Sequence, residues 1–412
     1  MAIALIGADI VTPATLLHGG TVLIDRGRIK AVGDAVALPP RARKIDLAGR
    51  TLVPGYIDVH LHGAVGDDAM DDDPGALPRM SAALAMFGVT GFLATTVAAP
   101  LDLLDRRLRA VTQILDGTWP GAAVLGIRSE GPFFAADHAG AQPPASLLAP
   151  DLETCRRLIA VADGAIRIMD LAPELPGAHD LIRFLVSEAV AVSAAHSHAT
   201  YDEFEAAVDA GLTHCAHLFN AMPPFHHREP GLVGGALTDP RVTVELICDF
   251  IHLHPAAVEL TRRAKGPDKI ILISDAMRAA GLSDGLYDLG GQRVEVTDRR
   301  AYLVDRKHQS GEPVLAGSTL TLDLAVRNVV TRLGWPLTEA VAMATANPAR
   351  LLGLKGRKGC IAPGADADLA ILNPDLSVWA TLVGGNFVYR AEEESCPSGL
   401  LHPPLPCRER VG

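Results

Sequence analysis

Up to about residue 53 short apolar runs alternate with turn residues. The runs 2–6, 21–24, 29–32 and 44–46 read as strands separated by Gly, Asp and Pro. Beyond residue 53 the pattern changes. Apolar runs of strand length now alternate with amphipathic stretches of helical period, the signature of βα units and a parallel sheet. Eight runs stand out: 56–59, 90–95, 123–127, 165–171, 191–195, 213–217, 242–247 and 270–274. One intervening helix is predicted over 202–210, behind the cap candidate Thr200. Eight such units over roughly 250 residues match a (β/α)8 barrel, whereas an open doubly wound sheet would want a Gly-rich loop after its first strand.

After Met277, glycines, an arginine pair and the runs 293–296 and 301–304 read as a hairpin inserted near the active face. Helices follow from about Leu320 and Leu337, and 360–372 and 378–388 return to short strands and glycine turns. The predicted fold class is therefore α/β: a TIM-like (β/α)8 barrel with a small β-sandwich domain formed by the N- and C-terminal segments. Residues 1–53 and 357–391 make up the sandwich, 54–356 the barrel, and 392–412, rich in Pro and Ser without periodicity, a disordered tail.

Composition narrows the function. A 412-residue chain that is 49% hydrophobic can bury a large core. Its net charge of −11, without a basic run, argues against nucleic acid or an anionic membrane as partner. A phosphorylated small molecule is still compatible, because a few local arginines or histidines outweigh the global sign. The six cysteines are scattered with no C-x-x-C spacing, which favours reduced thiols and a cytoplasmic setting. No apolar run reaches membrane-spanning length, and the N-terminus lacks a signal peptide's basic region and cleavage site.

The working residues of such a barrel stand at the C-terminal ends of its strands. Reading those positions gives His60, His62, Glu130, His196, His217, His252 and Asp275. His60 and His62 are two apart and share one face of an extended segment, which suits a divalent metal, although a pair of histidines can also cap a strand. Glu130 precedes Gly131-Pro132 and is either a turn residue or a ligand. His196 has His198 at i+2, and either could point inward. His217 is a better candidate than His214, because the chain turns after it. A lone Asp after a strand is usually an N-cap, but opposite a metal Asp275 is placed to take and return a proton. Lys30, Lys44, Lys265, Lys269, Lys307, Lys355 and Lys358 all miss the strand ends, so a bridge between two metals would have to come from a carboxylate, and Glu130 is the candidate.

These residues resemble the amidohydrolase superfamily, and within it the N-acetylglucosamine-6-phosphate deacetylase family, over about residues 45–390. The resemblance rests on Pro54-Gly55-x-Ile57-Asp58-Val59-His60-x-His62-Gly63, on Glu130-Gly131-Pro132-Phe133 and on Ser274-Asp275-Ala276. Ala316-Gly317-Ser318-Thr319-Leu320 fits as well, and the most specific part is His217-Leu218-Phe219-Asn220-Ala221-Met222-Pro223 followed by Arg228-Glu229-Pro230-Gly231. It implies that Glu130, His196 and His217 hold a main metal, that His60 and His62 add a second site, and that Asp275 is the general acid/base. Asn220, the Ala221 backbone, Arg228 and His252 would contact a sugar phosphate, with Ala316 also lining the site, and Arg228 would reach the neighbouring site of a homodimer. Zn is the first expectation for the metal, with Fe, Mn or Co also compatible with this donor set.

One position departs from the pattern. Gln142 stands twelve residues after Glu130, where the family commonly has a substrate-binding histidine, and glutamine cannot become cationic. His198 likewise stands where relatives often have asparagine. The implied activity is hydrolysis of the N-acetyl group of N-acetylglucosamine 6-phosphate. Gln142 keeps open a different N-acyl substrate, such as N-acetylgalactosamine 6-phosphate or an N-acyl amino acid. A non-catalytic sugar-phosphate-binding protein is disfavoured by the intact Asp275 and ligand set.

Overall fold

The computed structural model describes residues 2–13, 15–307 and 311–391. The tail expected at 392–412 lies outside the described residues.

All eight predicted barrel strands form. In sheet order they are Tyr56–Asp58, Val89–Thr96, Ala123–Glu130, Ile166–Leu171, Ala191–Ala194, His214–Cys215, Thr243–Ile247 and Ile270–Ile273, every neighbour parallel. Each residue of Val89–Thr96 is buried, as expected for a strand covered on both faces. Each fully buried Leu, Ile or Val side chain along these strands contributes roughly 1.5–3 kcal/mol by leaving water.

The ring closes above its last strands rather than along them. Asp275 N–H donates to His60 O (2.9 Å) and His62 N–H to Ala276 O (2.9 Å), with a parallel bridge between Leu61 and Ala276. Closure therefore falls on the segments that carry His60, His62 and Asp275.

The helices form where the apolar period placed them. Tyr201–Ala210 starts in a capping box: Thr200 Oγ1 accepts from Glu203 N–H (3.3 Å), and Glu203 Oε2 accepts from Thr200 N–H (2.8 Å). Leu322–Leu333 and Leu337–Ala344 follow the inserted segment, with a further helix, Ala346–Leu351, behind them. The expected hairpin is a four-stranded antiparallel sheet of Gly285–Leu289, Gln292–Thr297, Arg300–Lys307 and Pro313–Leu315.

The terminal segments share one sheet. Its central join pairs Leu369–Leu372 antiparallel with Thr51–Pro54, so the returning chain completes the N-terminal module. This module has its own core, with Leu5, Ile10, Ile29, Leu52, Leu369 and Trp379 buried together. The N-terminal strands Ile3–Val11 and Leu16–Asp25 run longer than their apolar stretches suggested. Gly7, at φ +78°, lies inside the first, and the pairing shifts register on either side of Ala8. A glycine that reads as a turn is here a bulge within a continuing strand. Cys155, Cys215, Cys248 and Cys360 are free thiols.

Candidate metal centre

A common spacing sets the geometry of the site. His60, His196, His217 and Asp275 each stand two residues beyond the last residue of their strand, and Glu130 is the final residue of its own. His196 (φ +47°), His217 (φ +24°) and Asp275 (φ +48°) take left-handed backbone, which L-residues rarely adopt and which costs of order 1–3 kcal/mol each. At these positions the chain leaves the strand direction and the side chains turn over the mouth of the barrel.

The side chains meet at Glu130. Its Oε1 lies 3.2 Å from His196 Nε2, 3.3 Å from His217 Nε2 and 3.3 Å from His60 Nε2. Its Oε2 lies 3.3 Å from His62 Nε2, and Asp275 Oδ1 lies 3.3 Å from the same nitrogen and 3.5 Å from His60 Nε2. Two triads result, Glu130–His196–His217 and His60–His62–Asp275, with Glu130 touching both. All six residues are buried.

Four nitrogens of one kind around a carboxylate are a poor hydrogen-bonding arrangement and a good donor set for a divalent metal. His60 Nε2 is buried and makes no hydrogen bond. Its other nitrogen, Nδ1, faces Glu245 Oε2 at 3.0 Å, and His196 Nδ1 faces His138 O at 3.0 Å. A proton on Nδ1 satisfies each of those contacts and leaves Nε2 with its lone pair directed into the site. Protons compete with a cation for the His60 and His62 nitrogens. Burial opposes the charged form of His62, but hydrogen bonds and charge from Asp275 and Glu130 outweigh it and raise its pKa to about 9. Burial would also raise the Asp275 pKa, yet His60 and His62 hold it below its usual value, so the carboxylate stays ionised and can accept a proton.

Beneath the centre lies a network absent from the sequence-based site. Arg128 is fully buried and forks onto Asp170, with Nε–Oδ2 at 2.7 Å and Nη2–Oδ1 at 2.8 Å, and its Nη1 also pairs with Glu245. Glu245 Oε1 receives His214 Nε2 at 2.8 Å, and its Oε2 accepts from His217 N–H at 3.2 Å. His214 is therefore a core residue, not a member of the triads. A signal for Arg128 was available: it is at i−2 from Glu130 in one strand and so shares its face.

The remaining predicted residues lie around this centre in different states. Gln142 is buried, its Nε2 donating to Glu130 Oε2 (2.5 Å) and its Oε1 accepting from Ala98 N–H (2.7 Å). The His252 side chain is buried with Nδ1 on Asp249 Oδ2 (2.7 Å); burial opposes its cation, but that contact wins and raises its pKa. Asn220 Nδ2 is engaged by His217 O (3.1 Å), and Ala221, at φ +53°, accepts from Ser197 N–H (3.3 Å). Arg228 is exposed on the segment after Met222, with Nη1 2.8 Å from His227 Nε2. Ala316 packs among Met277, Leu303 and Val314, and its N–H is bonded to Ala301 O (3.0 Å).

Imidazole and carboxylate triads over the C-terminal mouth of a parallel barrel define a metal-dependent barrel hydrolase. The chain belongs to the amidohydrolase family, whose model matches residues 51–388. It is 39% identical over 390 residues to the N-acetylglucosamine-6-phosphate deacetylase of Bacillus subtilis (strain 168), covering 93% of this chain and 96% of that one. It is 42% identical over 334 residues to the N-acetylgalactosamine-6-phosphate deacetylase of Escherichia coli O157:H7, covering 81% and 86%. Among solved structures, a variant of the Mycobacterium smegmatis N-acetyl-D-glucosamine-6-phosphate deacetylase, in complex with N-acetyl-D-glucosamine-6-phosphate, superposes with a TM-score of 0.86 at 36% identity, covering 94% of this chain and 99% of that one.

Proposed function

We propose that the protein hydrolyses the N-acetyl group of N-acetylglucosamine 6-phosphate, releasing acetate and glucosamine 6-phosphate. The observation that carries this reading is the pair of triads meeting at Glu130, with ionised Asp275 a member of the second, in a chain so similar to deacetylases of this substrate class. Glu130, His196 and His217 would hold the main divalent metal, and His60 and His62 a second. A metal held there would polarise the acetamide carbonyl and lower the pKa of a bound water toward about 7. Asp275 takes a proton from the attacking water and passes it to the departing nitrogen as the C–N bond breaks. His252, whose pKa is raised by Asp249, and the forked guanidinium of Arg228 suit a phosphate; Asn220 and the Ala221 backbone, with Gln142 and Ala316 alongside, complete the pocket.

Zinc is the first choice of metal for these donors. Arg228, exposed beside His227, would serve the neighbouring site of a homodimer. The chain divides into a strand module of 1–53 and 357–391 and a barrel of 54–356. No helix among the described residues is long and apolar enough to cross a membrane, in keeping with a cytoplasmic enzyme.

The relative from Escherichia coli, at 42% identity, favours N-acetylgalactosamine 6-phosphate as the second reading. The test is acetate release by zinc-loaded protein from both phosphorylated epimers and from unphosphorylated N-acetylglucosamine. The proposal expects turnover of the glucosamine ester and none of the free sugar. Faster turnover of the galactosamine ester selects the second reading, and no acetate from either ester overturns both.

A further inference from the structure

A second group of metal-type donors lies on the rim, outside the two triads. Asp137 and His138 belong to the short helix Ala136–His138 in the segment following Glu130, and His198 lies two residues beyond His196. His198 Nδ1 is 3.0 Å and His138 Nδ1 3.3 Å from the same oxygen, Asp137 Oδ1, and the three donor atoms lie within 4.8 Å of one another. The ligand-to-ligand edge of a tetrahedral zinc site with bonds of 2.0–2.1 Å is about 3.3 Å, so the observed spacing needs little adjustment to take an ion.

Hydrogen bonding alone leaves this arrangement incomplete. His138 Nδ1 is buried and makes no hydrogen bond, although Asp137 is adjacent. Two imidazoles aim the same kind of nitrogen at one carboxylate oxygen, with ring centroids 5.8 Å apart, so their cations would repel. A dication accepts both lone pairs and the carboxylate together, and removes the conflict. Beside it, the buried Glu174 carboxylate is held by Ser197 Oγ (2.6 Å) and His198 N–H (2.8 Å), with its Oε1 3.6 Å from His198 Nδ1. It adds negative charge and fixes the strand-end segment that presents His198.

We propose that Asp137, His138 and His198 form a third, exchangeable divalent-cation site on the barrel rim, taking a borderline transition metal such as zinc, nickel or copper. Mixed imidazole and carboxylate donors select that class over magnesium or calcium. The site is open to solvent, with His198 and Asp137 side chains 45% and 58% exposed, so its ion exchanges while the buried triads keep theirs. It also touches the main centre through the backbone. His138 O receives His196 Nδ1 at 3.0 Å, so an ion that pins the Ala136–His138 turn to His198 braces the hydrogen bond orienting His196.

The experiment is equilibrium dialysis of the metal-loaded full chain against excess zinc, with bound metal counted for wild type, D137N and H198N. It reads metal, not turnover, and so stands apart from the choice of substrate. The expected result is one more zinc per chain in wild type than in either variant, removed by brief exposure to a weak chelator. Both variants should keep the triad metal, the wild-type melting temperature and their activity without added zinc. Equal zinc uptake by all three proteins overturns the proposal. So does loss of the tightly held metal in the variants, which would make the group a support of the main centre only.

Discussion

Glu245 Oε2 lies 3.0 Å from His60 Nδ1, and both side chains are completely buried. The other oxygen of the same carboxylate takes His214 and Arg128, and Arg128 is forked onto Asp170. A carboxylate behind a histidine fixes its tautomer and increases its basicity, and such partners typically account for 10- to 100-fold in metal affinity. Arg128 offsets one of the two negative charges of Glu245 and Asp170, and the imidazoles add polar contacts to Glu245.

Glu245→Gln should therefore weaken metal binding at His60 and His62 by about 10- to 100-fold while Glu130, His196 and His217 keep theirs. Metal content after dialysis at controlled free zinc should fall by about one equivalent per chain. Unchanged content would show that the pair serves folding alone. Glu245→Ala goes further, because it leaves Arg128 half-compensated in the core, and breaking a buried pair in this way costs about 3–5 kcal/mol.

Asp275→Asn retains the size of the side chain and removes its capacity to take a proton. Turnover should fall by about 10^2- to 10^4-fold, the range a positioned acid–base group contributes. Metal at the Glu130 triad should be retained, because Asp275 belongs to the other triad. Wild-type turnover in this variant would reassign the proton transfer.

Much of this was legible because the barrel enforces a simple code. Parallel strands buried on both faces read as continuous apolar runs, and a polar residue just beyond each run is on the mouth. His60, Glu130, His196, His217 and Asp275 all follow it. The code is silent inside the strands, where Arg128, Asp170 and Glu245 sit among apolar neighbours and their partners come from other segments up to 185 residues away. The left-handed backbone at His196, His217, Phe219, Ala221 and Asp275 was likewise hidden, since none of these is glycine and tertiary contacts alone hold them there. Gln142 stood out as a departure, yet only the fold shows it donating to Glu130 while accepting from Ala98.

That contact makes Gln142→Ala informative. The change leaves the Ala98 N–H buried without an acceptor, which costs about 1–3 kcal/mol, and frees one oxygen of Glu130. The variant should melt at lower temperature and release metal to a chelator faster than wild type. If melting and metal retention were both unaltered, Gln142 would be a pocket residue without a role in holding Glu130.

His252 gives a pH dependence with a definite sign. Asp249 raises its pKa, so the imidazole stays cationic to higher pH than a free histidine and the phosphate retains a charged partner there. In Asp249→Asn the folded-state pKa drops back. KM for the phosphorylated sugar should then begin to rise at lower pH than in wild type, while at pH values where both forms are protonated the two proteins should agree. Parallel pH profiles of KM would remove His252 from phosphate binding.

Asp323 gives a second pH dependence, read in stability rather than in KM. It lies in the first turn of Leu322–Leu333, away from the triads in sequence, with Oδ1 buried and without a hydrogen bond. Burial lifts its pKa from 3.8 to about 6, partly offset by Thr321 and by the backbone at the helix start. Between those two values the folded state binds more protons than the unfolded one, so this group's contribution falls as pH rises through about 6 and then stays constant. The loss above that window is of order 3 kcal/mol, at about 1.4 kcal/mol per pKa unit. Asp323→Asn removes the ionisation and keeps the shape. It should melt a few degrees higher than wild type at pH 8 and at the same temperature near pH 4, which thermal melts at the two pH values would read directly. A variant less stable than wild type at pH 8 would mean that the ionised carboxylate has partners strong enough to repay its burial.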